Sequence, residues 1–223
     1  NTLVGASAGD SLTHADYNTG LGTGSIGGDT LGSKSTAVGY AALFTQNFSS
    51  TATDSNNTAV GYYAGTNVTT GVGNTLIGSE AGDALTSGGY STAVGKGALS
   101  TEDGHSNNTA VGFETLRDLN AGAAGNNVAV GNIAGRELTT GVENTLIGAA
   151  AGDALTDADY NVAVGKQALT ADTLGSRSTA VGFGTLQTQN FSSTATDSNN
   201  TAVGFWAGKE VTTGVRNTLV GSE

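Results

Sequence analysis

The side chains able to do acid–base or metal chemistry are few in this 223-residue chain, and they are poorly grouped. His14 and His105 lie far apart, and neither has a partner at metal-ligand spacing, so both read as solvated side chains. Asp10, Asp83 and Asp153 each follow an Ala-Gly pair, which raises the question of calcium. They recur too sparsely to share an ion, and the dense Gly-Asp nonapeptide of calcium-binding β-helices is absent, so turn chemistry is the better account. Glu102, Asp103, Glu114 and Asp118 come nearest to a glycosidase pair, which needs an acid and a base flanking one bond. No other catalytic element accompanies them, and no nucleophile elbow, phosphate loop or zinc pattern occurs. The expectation is a chain with no catalytic residue, no metal and no cofactor, and therefore not an enzyme.

Binding chemistry is better represented. Thr45–Gly61 and Thr188–Gly204 both read TQNFSSTATDSNNTAVG. Each copy carries an aromatic ring and a carboxylate among hydroxyl and amide groups: Phe48 with Asp54, and Phe191 with Asp197. Such a mixture can stack on and hydrogen-bond to a sugar, which makes 44–56 and 187–199 candidate receptor loops. The same phenylalanines could instead fold back as packing, and packing is the preferred reading of the two rings.

The scaffold that must hold these residues is unusual in composition. Of its residues 36 are glycine, none is proline, cysteine or methionine, and only 6% are aromatic. Charged residues make up 12%, well under the common share. The net charge is −11 and the eight basic residues are scattered, which excludes a nucleic-acid groove and disfavours an anionic membrane. No apolar run is long enough for a membrane helix. The absence of cysteine removes disulfide and thiolate-metal designs.

One repeat organises the chain. A motif of the form NTAVG begins at residues 1, 18, 35, 57, 74, 91, 108, 127, 144, 161, 178, 200 and 217. The unit is 17 residues, with insertions ahead of Asn57, Asn127 and Asn200. Positions are numbered from zero at the first residue of the motif. Position 0 is Asn, or Ser at Ser35, Ser91 and Ser178, and position 1 is Thr, or Val at Val128 and Val162. Position 3 is always aliphatic and position 4 always glycine: Gly5, Gly22, Gly39, Gly61, Gly78, Gly95, Gly112, Gly131, Gly148, Gly165, Gly182, Gly204 and Gly221. The β-branched residues predict a short strand, and the invariant glycine predicts a corner of positive φ or close backbone approach. Positions 1 and 3 share a face, and the exchange of Thr for Val marks that face as inward. A second strand-like segment is expected near positions 7 to 11. There, rungs with glycine at position 8 carry Leu or Val at position 11, and the remaining rungs carry Leu or Ile at position 8, so that each rung receives a large aliphatic group from one corner or the other. Units beginning NTL mark four-rung modules starting near 1, 74, 144 and 217.

No unit has helical periodicity, so the predicted fold is an all-β parallel β-solenoid or β-roll of about 13 stacked 17-residue rungs, one continuous array over 1–223. Rungs ~4.8 Å apart would span ~58 Å, with the position-0 asparagines forming an edge ladder. Tyr40, Tyr62, Phe113, Phe183 and Phe205 at position 5, with Trp206 and Tyr63 beside them, predict an apolar seam. A thin core and such a seam together predict self-association, with a parallel homotrimer preferred.

The motifs VAVG (Val128–Gly131, Val162–Gly165) and NTAVG resemble the repeats in head domains of trimeric autotransporter adhesins, although the unit here is longer. NTAVG followed by an AL or AG step and a TTG segment (Thr69–Gly71, Thr139–Gly141, Thr212–Gly214) is similar to repeats in tail fibres of bacteriophages, particularly marine ones. The resemblance covers the whole chain and implies a trimeric fibre of the virion or the extracellular surface. Its implied partners are further copies of itself and a host glycan or protein receptor. Both ends fall within the repeat, so a fragment of a longer fibre is expected. The alternatives are a bacterial surface adhesin head and, less favoured, an ice-binding solenoid, for which the strand threonines form one rank.

Overall fold

In a computed structural model of the chain, which describes every residue except His105 and Ala123, each NTAVG motif forms a three-residue strand closed by its glycine. The sequence reading of His105 therefore lies outside the described residues. The protein is an all-β parallel β-solenoid of about 13 turns with about 17 residues per turn. It divides into two compact units, 1–108 and 109–223. The first holds the strands Thr2–Val4, Thr19–Leu21, Thr36–Val38, Thr58–Val60, Thr75–Ile77 and Thr92–Val94. The second holds Thr109–Val111, Val128–Val130, Thr145–Ile147, Val162–Val164, Thr179–Val181, Thr201–Val203 and Thr218–Val220. Within each unit equivalent residues pair in register across every insertion, for example Thr36 with Thr58 and Val111 with Val130.

The motif glycines explain how the rungs come this close. All lie at φ between +133° and +145°, a region that only glycine enters freely. Within each unit, all but the last also stack on the glycine of the next rung: a methyl built on Gly78 would sit 2.5 Å from the Gly95 carbonyl oxygen. The segment after the glycine is not the second strand expected from the sequence. Residues at positions 6 and 8 take left-handed backbone, as at Tyr63 (φ 56°) and Leu43 (φ 50°), so the chain here is a run of tight turns. These turns still bond rung to rung, through pairs such as Gly65 N–H to the Ala81 carbonyl at 3.0 Å.

The interior is narrow and filled by volume matching. In all but the two terminal strands the middle residue points inward and is buried, among them Ala37, Ala59, Leu76 and Leu146. Where position 8 is Leu or Ile, that side chain crosses the coil and the strand supplies only glycine or alanine at its middle. Where position 8 is glycine, the room goes to Leu or Val at position 11 and to a leucine of its own strand or of the next rung's. A methyl on Gly65 or on Gly82 would each meet Leu76 at 2.6 Å, and one on Gly135 or Gly152 would meet Leu146 at 2.6 or 2.9 Å. One strand leucine thus serves two successive glycine corners. Two leucine-corner rungs followed by two glycine-corner rungs make the four-rung module.

Replacing Gly78 by Ala is therefore expected to cost ~2–4 kcal/mol, since it combines a strained φ with a backbone collision that no rotamer relieves. Valine should cost more. Thermal unfolding followed by circular dichroism checks this, and an unchanged midpoint would contradict the corner role.

Candidate functional site

The strand face that meets solvent is the reverse of the one inferred from the sequence. Positions 1 and 3, read above as inward, point outward, because the three-residue strand admits only its middle side chain to an interior already occupied from the opposite corner. Val60, Ile77, Val130 and Ile147 remain 37–39% exposed. The result is an outer surface with one rank of Thr or Val beside an unbroken rank of Val, Ile or Leu, without a charge in either rank. The hydroxyls of these strand threonines, such as Thr58, Thr75 and Thr145, bond to no protein group among the described residues. Threonines on the return side behave differently: Thr86 Oγ1 donates to the Asp103 carbonyl at 2.7 Å and Thr156 Oγ1 to the Thr173 carbonyl at 3.0 Å.

The asparagine ladder holds this face in place from within and is not an edge feature. Asn18 is buried. Its Nδ2 spans the coil to the Gly32 carbonyl at 2.7 Å, and its Oδ1 accepts the Ser35 N–H of the next rung at 2.8 Å. Asn74 and Asn161 repeat the arrangement. Each rung that opens with serine carries Gln or Glu at position 11, and the longer side chain reaches the next asparagine instead. Gln46 Oε1 accepts Asn57 Nδ2 at 2.9 Å, Glu102 Oε2 accepts Asn108 Nδ2 at 3.2 Å and Gln189 Oε1 accepts Asn200 Nδ2 at 2.7 Å.

The inserted loops are built on the same buried polar groups. Asp29 Oδ1 accepts the N–H of Gly32 and of Phe48, and its Oδ2 accepts Gln46 Nε2 at 2.6 Å; Asp172 does the same for Gly175, Phe191 and Gln189. Phe48 and Phe191 are only 7% and 8% exposed, so both rings are packed beneath their loops. Asp54 and Asp197 stay at the surface, where they pair with Lys34 at 2.6 Å and Arg177 at 3.1 Å. Each loop returns as a two-residue strand, Thr53–Asp54 on Gly32–Ser33 and Thr196–Asp197 on Gly175–Ser176.

The position-5 rings do stack at rung spacing, Tyr40 on Tyr62 at 5.5 Å and Phe183 on Phe205 at 5.4 Å. They form local clusters, not one seam. Ser79 and Lys96 stand at position 5 in the rungs after Tyr62, and Asn132, Ala149 and Lys166 in the rungs between Phe113 and Phe183. Tyr63 and Trp206 each lean against their cluster, and Lys209 Nζ lies 4.3 Å from the Trp206 ring centre.

The remaining polar candidates do not converge. Glu102 is buried in the asparagine ladder, while Arg117 binds both Glu114 at 3.1 Å and Asp118 at 2.7 Å. Among the described residues no cluster of three or more His, Asp or Glu could hold a metal ion. Compared with protein-family models, curated proteins and solved structures, the chain matches none.

Two turn aspartates are electrostatically strained. Burial, with the Glu80 charge adding to it and a backbone hydrogen bond opposing, pushes the Asp83 carboxyl from 3.8 up to about 6. Burial also raises Asp153, against a hydrogen bond from Thr170 Oγ1 at 2.5 Å. A carboxyl raised in the folded state contributes stability that is complete below its unfolded value and lost as pH climbs through the folded one. The melting temperature should therefore fall between pH ~4 and ~7 on this account, and Asp83→Asn should flatten that slope while raising the midpoint at neutral pH. Parallel thermal melts of the two proteins across that range measure the difference.

Proposed function

We propose that the chain is a structural segment of a homotrimeric fibre, of the kind its repeats resemble in phage tail fibres, which holds or presents a surface for host attachment. Its place is then the virion or another extracellular surface, with a bacterial adhesin head as the alternative setting. The observation that carries this reading is the unbroken outward rank of Val, Ile and Leu at position 3. Isolated exposed aliphatics need no explanation, but a contiguous rank on a sheet, free of charge, is a surface awaiting a partner. At ~25 cal/mol per Å2, covering each such residue is worth about 1 kcal/mol, and the contributions accumulate along the rank. An identical chain in parallel register offers the same spacing. The aromatic clusters and the interrupting lysines flank the rank and would discourage slippage.

A second reading draws on the same face. Unbonded threonine hydroxyls beside a rank of methyl groups, both at rung spacing, also suit ordered water, so ice binding regains support from the outward orientation of the threonines.

Sedimentation equilibrium of the isolated chain is expected to give a trimer, and the double variant Val60→Lys, Ile77→Lys a folded monomer, since both side chains are already outside the core. A well-folded wild-type monomer at micromolar concentration would sink the fibre reading, whereas a dimer would change only the stoichiometry. Thermal hysteresis in the wild-type protein that disappears in Thr75→Lys would favour ice binding instead.

A further inference from the structure

The two identical 17-residue segments, Thr45–Gly61 and Thr188–Gly204, are bracketed by residues that differ. Phe44 precedes the first segment and Gln187 the second; Tyr62 and Tyr63 follow the first, Phe205 and Trp206 the second. The neighbouring pairs Tyr40/Phe183, Thr23/Lys166 and Gly24/Gln167 differ as well. Many of the changes gather at positions 5 to 9 of three successive rungs, hence on one flank of the coil, although the first of these rungs also changes its strand, from Thr19–Leu21 to Val162–Val164, and single exchanges such as Asn67/Glu210 and Gly73/Arg216 fall elsewhere.

On the first copy the flank has a groove of about 320 Å3, lined by Ser7, Thr23, Gly24, Tyr40, Phe44 and Tyr63. That is the size of the smallest ligand sites, enough for a single sugar ring. Its walls are aromatic. Tyr40 and Phe44 are 49% and 45% exposed, and the Tyr63 ring stands at 73° to Tyr40 with centroids 5.4 Å apart. Gly24 permits the groove, for a methyl there would press on the Phe44 ring at 3.2 Å. The phenol oxygens of Tyr40, Tyr62 and Tyr63 have no protein partner among the described residues. No ionisable acid or base lines the groove other than the tyrosine phenols. On the second copy Phe183 and Phe205 lack hydroxyls, Gln167 and Gln187 stand for Gly24 and Phe44, and the Trp206 ring lies against Gly184.

We infer that the Tyr40–Phe44–Tyr63 groove is a binding subsite for a neutral pyranose, and that the second copy lacks it. The electron-rich ring faces stack on the C–H face of a pyranose, and the hydroxyl groups around them suit a polar ligand better than a bare aliphatic one. The phenols and the hydroxyls of Ser7 and Thr23 are available to its equatorial hydroxyl groups. The absence of charge in the lining selects a neutral sugar over a sialic or uronic acid. This subsite deepens the attachment role proposed above and places it on the turn flank at the entry of the first candidate loop, away from Phe48 and Asp54.

The test is a titration of the wild-type chain with a panel of neutral methyl pyranosides, followed by the aromatic-ring proton resonances. Saturable shifts confined to Tyr40, Phe44, Tyr62 and Tyr63 are expected for at least one sugar. Phe44→Gln, a residue the second copy tolerates at the equivalent place, should weaken that binding by about tenfold or more. Tyr63→Ala should weaken it similarly, and Phe205→Ala should leave it unchanged. Shifts with no pyranoside, or shifts equal in Phe44→Gln, overturn the assignment. Shifts that follow protein concentration and ignore sugar also overturn it, by making a second copy the occupant. Sedimentation of the same samples separates the two proposals, because a trimer that binds no sugar refutes the subsite alone and a monomer that binds it refutes the fibre alone.

Discussion

Every rung of this solenoid lies one backbone hydrogen bond from the next, and that spacing leaves no room for a side chain where the strand turns. Gly61 stacks on Gly78 and Gly78 on Gly95, each so close that a single methyl would strike the carbonyl above it. Because the corner is glycine, the strands stay in register through insertions of two or five residues. Because they stay in register, the asparagine carboxamides can bond both across their own coil and up to the next. The buried polar groups of the inserted loops then find partners at fixed places, which is the condition for burying them at all.

A coil of 17 residues encloses too little space to bury both faces of its strand. One inward residue per strand is all it accepts, and the large groups must come from the corners. This is why alanine, the smallest apolar residue, occupies the middle of most strands, and why leucine appears there only where two glycine corners make room. The same shortage sends β-branched residues outward in two ranks. In most β proteins such residues would be core; here they are surface.

The molecule therefore separates its constraints by side. The strand side is uniform from rung to rung, because the same three residues must stack in register at every turn. The turn side tolerates variety, since its backbone geometry is set by left-handed residues and its side chains are free to project. The two duplicated segments show part of this division: Thr45–Gly61 and Thr188–Gly204 are identical, strand included, while the turn flanks beside them carry tyrosines and a phenylalanine in one copy against phenylalanines, a tryptophan and glutamines in the other. Side-chain variety belongs on the side that can change without disturbing register.

Much of the architecture was legible in the residues alone. The 17-residue period, the glycine corners, the all-β stacking and the reciprocal choice between positions 8 and 11 follow from spacing and side-chain volume, both of which are local properties. Which face of the strand looks inward was not legible. Threonine, alanine and valine alternate in the same way whichever side is buried, and only the arrival of Leu43 or Leu99 from the opposite corner shows that the interior is already full. The sequence likewise displayed Phe48 and Phe191 as loop aromatics, but their burial depends on Asp29 and Asp172 one rung earlier holding the loop backbone down. The groove of Tyr40, Phe44 and Tyr63 was invisible for the same reason. Its walls come from different rungs, and only stacking brings them within reach of one another.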